Sequence, residues 1–259
     1  MHRNIVLSST ALVYYVVSVF ALVQFESGSL AAAILLFGIP AYALARFSAA
    51  PTAVLATVVA FGAGVGLLLE GVAHIYGIWY FIGVEELRLF GVVPLEVLLI
   101  AIVQTLFLTL LYELIFDDGE YNQSHARTRF TAIAVFSFGV LLLLALHQYV
   151  LKTIFFSHSY IWILVVLIAS SVAALLVQKK FTQRLLLKLT VFISIASVPL
   201  ICSLAVAVAN SHKVFAYTHD YLYTFSLFNT VVPIEELLLT LAFPLFVATF
   251  YELYLDDGV

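Results

Sequence analysis

The chain has 259 residues, of which 64% are hydrophobic and only 10% are charged, and its formal net charge at pH 7 is −4. Soluble domains are about half apolar and about a quarter charged, so this composition excludes an ordinary soluble protein and predicts an integral membrane protein. No basic surface suggests nucleic acid as a partner. Cys202 is the single cysteine, which removes disulfides and CxxC redox chemistry from consideration.

Apolar runs of roughly 20 residues predict membrane-spanning helices, because such a helix crosses the hydrocarbon core and pairs its own backbone groups. We expect eight spans, so the predicted fold class is an all-α transmembrane helical bundle. The expected ranges are 5–24, 29–45, 52–73, 92–116, 130–150, 160–177, 186–209 and 228–255. The first run lacks an evident small-residue cleavage site, which indicates a retained helix rather than a signal peptide.

Basic residues between the spans predict the orientation, because cytoplasmic loops hold the excess of Lys and Arg. An N-terminus inside the cell places eight basic residues on the cytoplasmic side and three outside. The inner set is Arg3, Arg46, Arg127, Arg129, Lys179, Lys180, Arg184 and Lys188, and the outer set is Arg88, Lys152 and Lys213. We therefore expect both termini to be cytoplasmic and the protein to reside in the cell membrane.

One segment of the chain occurs twice. Residues 92–119 align without a gap with residues 231–258 at an offset of 139, and 14 of the 28 positions are identical. Each copy begins Val-Val-Pro, places a glutamate just inside an apolar helix, and ends Tyr-Glu-Leu, two residues, then Asp-Asp-Gly. This pattern predicts a duplication with halves 1–129 and 130–259, arranged as a parallel four-plus-four repeat.

Four carboxylates are predicted to share one layer of the membrane. Glu96 and the pair Glu235 and Glu236 lie about one turn inside the outer boundary, and Glu70 reaches the same depth from the oppositely directed third span. Acids within a membrane are candidates for a functional site, so all four are candidate functional residues.

Stabilisation of helix ends is the alternative interpretation of these acids. Pro94 and Pro233 are suited to a first helical position, and acids in a first turn stabilise the helix dipole. For Glu70 the corresponding alternative is a solvated helix end.

A second acidic layer lies at the inner ends of the repeated helices. It comprises Tyr112, Glu113, Asp117 and Asp118 in one copy, and Tyr251, Glu252, Asp256 and Asp257 in the other. Seventeen residues separate Glu96 from Glu113, which corresponds to about 25 Å of helix. One site cannot use both layers directly, so we assign this end a structural or interfacial role.

Aromatic residues flank the outer layer, as HIYGIWYF over 74–81 and a looser counterpart over 212–225. They fit an interfacial belt, or alternatively an aromatic lining that stabilises a cation. On the second interpretation the predicted substrate contacts are Tyr76, Trp79, Tyr80 and Phe225.

Two further site classes receive no support from the pattern. The histidines lack metal-site spacing, so no metal is expected. The string GAGVG lacks the third glycine of a dinucleotide-binding loop, and Gly62 and Gly66 instead predict a close contact between helices.

PIEELLLTLAFP over 233–244, followed by Tyr251 and Glu252, resembles the integral-membrane lycopene cyclase family, whose members are two-subunit or fused cyclases unrelated to flavin-fold cyclases. That family carries Pro-x-Glu-Glu, a second proline about three turns on, and Tyr-Glu at the helix end. It also carries an acid seven positions before Gly-Ile-Trp, which here is Glu70. The resemblance covers roughly 65–120 and 205–258.

The two copies depart from this pattern in complementary ways. Val97 replaces the second glutamate in the first copy, and Thr105 stands where the second copy has Pro244. The second half has no acid at the position that corresponds to Glu70. One composite site therefore fits the chain better than two equivalent sites.

The resemblance implies cyclisation of the ends of lycopene to β-ionone rings, without net redox change and without a cofactor. A neutral carboxylic acid would protonate the terminal alkene, the carbocation would close the ring, and a carboxylate would remove a proton. The expected acid is Glu235 or Glu96, with Glu236 and Glu70 as base or charge partners. The expected partners are a long hydrophobic carotenoid taken from the bilayer and membrane lipid.

Three other functions remain open on the sequence. A small proton-coupled transporter would also combine a parallel repeat with acids near its axis. An intramembrane protease is weaker, because no arginine follows Glu235-Glu236 at the spacing of a Glu-Glu-x-x-x-Arg motif. A purely structural interaction protein would leave the repeated acids unexplained.

Overall fold

The computed structural model describes residues 2–48, 50–81, 87–89, 91, 93–116, 139, 159–177, 182–210, 215–217, 221–227 and 230–255. The predicted span 130–150, apart from Gly139, lies outside the described residues. The Asp-Asp-Gly ends at 117–119 and 256–258 lie outside them as well.

The described chain is mostly helical, and the prediction of a helical bundle is confirmed in this form. The helices are α1 (His2–Gln24), α2 (Ser29–Phe47), α3 (Thr52–Tyr76), α4 (Leu95–Phe116), α5 (Ser159–Val177), α6 (Gln183–Ala209) and α7 (Ile234–Leu255). Five of them, α2, α3, α4, α6 and α7, are long and apolar enough to cross a membrane, which is compatible with an integral membrane protein.

Helix α2 contains a π-helical turn at Ile34–Gly38, which ends two residues before Pro40. Proline has no N–H and its ring clashes with the carbonyl four residues earlier, here that of Leu36. The wider π turn relieves that clash, and the Tyr15 hydroxyl donates to the Leu36 carbonyl at 3.2 Å. Helix α7 ends in a second π turn, Tyr251–Leu255.

Short strands accompany the helices. They are β1 (Trp79–Phe81), β2 (Arg88–Leu89), β3 (Val93–Pro94), β4 (Phe215–Tyr217), β5 (Thr224–Leu227) and β6 (Thr230–Pro233). β2 with β3 and β5 with β6 form antiparallel pairs. β1 pairs with β4 across the two halves, with Trp79 opposite Tyr217 and Phe81 opposite Phe215.

The strands correct the predicted starts of two spans. The sequence predicts helix from residue 92 and from residue 228. The structure instead has strands β3 and β6 there, and the helices begin only after Pro94 and Pro233. A residue that precedes proline is biased to extended backbone, which favours strand up to that point. Pro233 itself is extended, with φ −68° and ψ 144°, so it precedes the helix rather than opening it.

Gly62 and Gly66 confirm the predicted close contact between helices. A Cβ atom on Gly66 would lie 2.6 Å from the Ala101 Cβ, and one on Gly62 would lie 3.1 Å from the Thr105 side chain. Gly62 therefore meets residue 105, and Gly66, four residues later on α3, meets residue 101, four residues earlier on α4. This register shows that α3 and α4 are antiparallel. The same register places Glu70 level with residue 97.

The bundle has two distinct polar ends. At the first, which we name the cavity end, buried Asn210 donates through Nδ2 to the carbonyls of Leu22 and Ser27, at 3.0 Å each. α3 and α6 end there, and α4 and α7 begin there.

At the opposite end, which we name the tyrosine end, Tyr112 donates to the Glu252 carboxylate, and its ring lies 5.1 Å from that of Tyr251. The Ser48 hydroxyl donates to the Glu113 carboxyl group, with its oxygen 2.8 Å from each carboxyl oxygen. Glu113 and Glu252 are each only 5% exposed, so these two carboxylates belong to the packed core and not to a solvated interfacial cluster.

Candidate functional site

A cavity of about 230 Å³ opens at the cavity end of the bundle, between α2, α3, α4, α6 and α7 and the start of α5. Its wall is mainly apolar, with aliphatic side chains such as Val65, Leu69, Leu200 and Leu204. A few polar groups project into it, which is the usual composition of a ligand pocket.

The two repeated helices contribute the same four positions to the cavity wall. The spacing, at i, i+3, i+4 and i+7, is that of one helix face. The pairs are Val97 with Glu236, Ile100 with Leu239, Ala101 with Thr240, and Gln104 with Phe243, each separated by the repeat offset of 139. The cavity therefore lies between equivalent faces of α4 and α7.

Glu70 and Glu236 are the two acids that line this cavity. Glu236 is the third residue of α7, as Val97 is the third residue of α4. Glu70 is 4% exposed and lies level with residue 97 through the glycine contact between α3 and α4. The two carboxyl groups therefore line the same cavity from different helices.

Glu235 does not line the cavity, although it is the neighbour of Glu236. Adjacent residues on an α-helix point about 100° apart, so a helix that directs Glu236 into the cavity directs Glu235 elsewhere. Glu235 is 0% exposed, and its Oε1 accepts a hydrogen bond of 2.7 Å from the backbone N–H of Leu222. Among the described residues, no donor reaches its buried Oε2.

Glu96 occupies in α4 the position that Glu235 occupies in α7, and it too is absent from the cavity wall. Its side chain is half-buried. The structure thus brings Glu70 and Glu236 together and leaves Glu96 and Glu235 outside their cavity. Catalytic roles for all four stay predictions.

The predicted aromatic contacts are only partly described. The side chains of Tyr76, Trp79 and Tyr80 lie outside the described part of the structure, although the backbone of Trp79 and Tyr80 forms β1. Phe225 is partly buried and packs against the cluster of Leu204, Val208 and Val232 rather than lining the cavity.

Sequence reasoning missed two aromatic residues that do line the cavity, Tyr160 and Phe243. Tyr160 is 1% exposed at the start of α5, and its ring meets that of Tyr221 edge-on at 6.5 Å between centroids. Phe243 could have been predicted, because it occupies the repeat position equivalent to Gln104. Nothing in the sequence distinguishes Tyr160 from its neighbours.

Thr240 was also missed, and Pro244 explains its environment. Proline lacks an N–H, so the carbonyl of Thr240, four residues earlier, loses its helical partner. The Ser197 hydroxyl of α6 lies 3.2 Å from that carbonyl and donates to it, while also donating to Ile193 at 2.6 Å. The second proline of the motif therefore ties α7 to α6 beside the cavity.

Two carboxyl groups in one apolar cavity can give and accept protons on an apolar ligand. Among the described residues, no group of three His, Cys, Asp or Glu side chains could hold a metal ion. No protein-family model, curated protein or solved structure matches the chain.

Proposed function

We propose that the chain is a membrane-bound carotenoid cyclase that closes β-ionone rings on the ends of lycopene. The observation that carries the proposal is the pairing of Glu70 and Glu236 in one apolar cavity. Both positions belong to the motifs that resemble the integral-membrane cyclases, and neither is repeated as an acid in the other half of the chain.

Each acid has a role in the proposed reaction. Glu236 lies in the first turn of α7, where free N–H groups and the helix dipole favour a negative charge, so we assign it the proton acceptor. Glu70 lies well inside α3 in an apolar wall and is assigned the donor. The donor protonates the terminal alkene, the carbocation closes the ring, and the acceptor takes a proton from the ring. The proton count balances without an oxidant or reductant.

The size of the cavity suits one end of a long substrate. Pockets that enclose a whole drug-sized ligand measure about 300–1,000 Å³, whereas this cavity measures about 230 Å³. The remainder of a carotenoid chain would extend from the cavity into the bilayer, whose apolar core dissolves it.

The core beneath the cavity favours a cyclase over a transporter. Buried Phe107, Phe246 and Phe250 fill the described core between the cavity and the tyrosine end. Phe61 stacks on Phe250 with ring centroids 3.7 Å apart. A carrier that links two acidic layers needs a polar path between them, and aromatic packing of this kind opposes one.

The duplicated architecture is part of the proposal. Supporting it, the order helix, strand, strand pair, helix occurs twice, as α3 to α4 and as α6 to α7. The count of eight spans is supported by where α4 ends and α5 begins. Because α4 ends at the tyrosine end and α5 begins at the cavity end, one further span is expected between them. With this span count, the excess of basic residues supports cytoplasmic termini and a location in the cell membrane.

The test is to express the chain in cells that accumulate lycopene and to separate the pigments by chromatography. We expect cyclic products from the unchanged chain, and a loss of about 10²-fold or more in Glu70→Gln and in Glu236→Gln. Glu96→Gln is the matched control, since it makes the same chemical change outside the cavity. Ring formation that survives both cavity substitutions, or none from the unchanged chain at full expression, would contradict the proposal.

A further inference from the structure

Glu235 contacts a loop instead of the cavity. Its Oε1 accepts the N–H of Leu222 at 2.7 Å, in the segment between β4 and β5. Leu222 is 52% exposed, whereas Glu235 is fully buried beneath it. Removing a buried acceptor of this kind would leave the Leu222 N–H without its partner, which costs free energy.

Three hydrogen bonds fix the segment 221–223, which we name the loop segment. Besides the bond from Leu222 to Glu235, the backbone N–H of Ile234 donates to the Tyr223 carbonyl at 2.9 Å. The Tyr221 hydroxyl donates to the Ile78 carbonyl at 2.5 Å, which joins the second half of the chain to the first.

The loop segment in turn supports the cavity wall. The ring of Tyr221 packs edge-on against that of Tyr160, which lines the cavity with Glu70 and Glu236. Ile78 follows Gly77, whose positive φ of 63° ends α3, the helix that carries Glu70. Glu235 is therefore connected to the helices of both cavity acids and, through Tyr221, to Tyr160 in the cavity wall.

We infer that Glu235 is a positioning residue: by holding the Leu222 amide it seats Tyr221 against Tyr160 and Ile78, and so fixes the geometry of Glu70 and Glu236. The kinetic part of this inference rests on the proposed cyclase function. The structural part, the hold on the loop segment, does not.

The structure describes no counterpart of this hold in the first copy, where residues 82–86 lie outside the described part of the chain. Leu95, the counterpart of Ile234, also ties its backbone N–H to the preceding segment, at the Leu87 carbonyl and 3.1 Å. Among the described residues, however, a hydrogen bond from a loop amide reaches Glu235 and none reaches Glu96. Glu96→Ala makes the same change at the equivalent position of the first copy, which makes it the matched control for Glu235→Ala.

Gln at position 235 separates positioning from proton transfer. Within the described chain Glu235 uses one oxygen only, because its Oε2 meets no donor. A glutamine keeps that acceptor oxygen and the side-chain length, and it removes the transferable proton. A positioning residue tolerates this change, whereas a general acid or base does not.

The experiment compares Glu235→Gln, Glu235→Ala, Glu96→Ala and Tyr221→Phe in the full-length protein in lipid nanodiscs. Hydrogen exchange is measured at the Leu222 amide, and cyclisation of added lycopene is measured as kcat, KM and a pH–rate profile. We expect Glu235→Ala to raise exchange at Leu222 by about tenfold or more. We expect it to lower kcat by up to about 10²-fold without altering the shape of the pH profile.

Glu235→Gln should resemble the unchanged protein in both measurements, and Glu96→Ala should keep the Leu222 amide protected from exchange. Tyr221→Phe should lower kcat while leaving the bond between Leu222 and Glu235 in place. The inference is overturned if Glu235→Gln keeps Leu222 protected and yet loses activity as Glu236→Gln does, or if Glu235→Ala leaves Leu222 protected. An unchanged protein that does not convert lycopene contradicts the proposed function alone, and the exchange measurement then decides the inference.

Discussion

The helices α4 and α7 turn the same face to the cavity and present different chemistry on it. Where α7 places Glu236 and Phe243, α4 places Val97 and Gln104 at the same positions of the repeat. The glutamate that the two copies share, Glu96 or Glu235, is absent from the cavity wall. The comparison teaches that repetition marks the scaffold of this molecule, and that the candidate site lies where the copies have diverged.

The same divergence appears at the next position along both helices, at Thr105 and Pro244. The Thr105 hydroxyl donates back to the Ala101 carbonyl at 2.8 Å, so α4 keeps its hydrogen bonds within the helix and packs closely on Gly62. Pro244 frees a carbonyl, so α7 instead bonds to Ser197 of α6. Each copy therefore secures itself to its neighbouring helix by a different device.

The largest effect should follow from giving α7 the residue of α4 at the diverged position. Glu236→Val removes the proposed proton acceptor and should lower ring formation by about 10²- to 10⁴-fold, the usual contribution of a general base. Cyclic carotenoid per unit of protein, measured by chromatography, checks this. Leu239→Ile alters the same wall without removing an acid and should retain most of the conversion. Equal losses in both variants would mean that packing, and not the carboxyl group, distinguishes α7.

At the tyrosine end, Tyr112→Phe should destabilise the protein more than Ser48→Ala. Tyr112 donates to the buried Glu252, and hydrogen bonds to charged groups are worth about 1.5–3 kcal/mol. Ser48 donates to Glu113 from a half-buried position at the end of α2, where water can replace it. Denaturant unfolding in detergent measures both, and phenylalanine keeps the packing of the ring on Phe192. A larger loss of unfolding free energy in Ser48→Ala than in Tyr112→Phe would contradict this prediction.

The glycine contact of α3 with α4 predicts a contrast between two substitutions. Gly66→Ala brings a Cβ to 2.6 Å from that of Ala101 and should cost about 1–3 kcal/mol of stability through overpacking. Gly64→Ala makes the same change where nothing lies within 4 Å, so it should be tolerated. Thermal unfolding of the two variants distinguishes them, and a similar Tm for both would show that α3 and α4 can separate at little cost.

The smallest effect concerns Pro244 of α7 and the hydrogen bond from Ser197 to the carbonyl that Pro244 leaves free. Ser197→Ala leaves the Thr240 carbonyl without its hydroxyl donor and should cost about 0.5–1.5 kcal/mol. In a Pro244→Ala background the restored helical N–H can satisfy that carbonyl, so the same change should cost less. A double-mutant cycle of unfolding free energies measures the difference. Additive values would show that Ser197 does not compensate for Pro244.

Much of the scaffold follows from the sequence because its determinants are local. Apolar length predicts the helices, and the four-residue spacing of Gly62 and Gly66 predicts their contact, since both depend on neighbours along one helix. The strands could not be predicted in this way. β1 spans three residues and pairs with a segment more than 130 positions away, which leaves no periodic signal in either segment.

Membership of the candidate site could not be predicted from the sequence. Hydrophobic patterning predicts a common depth for all four glutamates, but which of Glu235 and Glu236 faces the cavity depends on the rotation of α7 about its axis. That rotation is set by packing against other helices, including the bond between Ser197 and Thr240. Tyr160 likewise lines the cavity only because α5 packs beside α3 and α7, which the sequence of α5 alone does not indicate.

The pairing of β1 with β4 joins the halves through backbone groups in antiparallel register, with Tyr80 opposite Ala216 at the centre of the ladder. An antiparallel ladder has a local two-fold axis, so two copies of one ancestral strand could form it as readily as two different strands. It is the kind of isologous contact through which identical subunits assemble. Because backbone N–H and C=O groups make the pairing, it joins residues 79–81 to residues 215–217 by a contact that does not depend on side-chain identity.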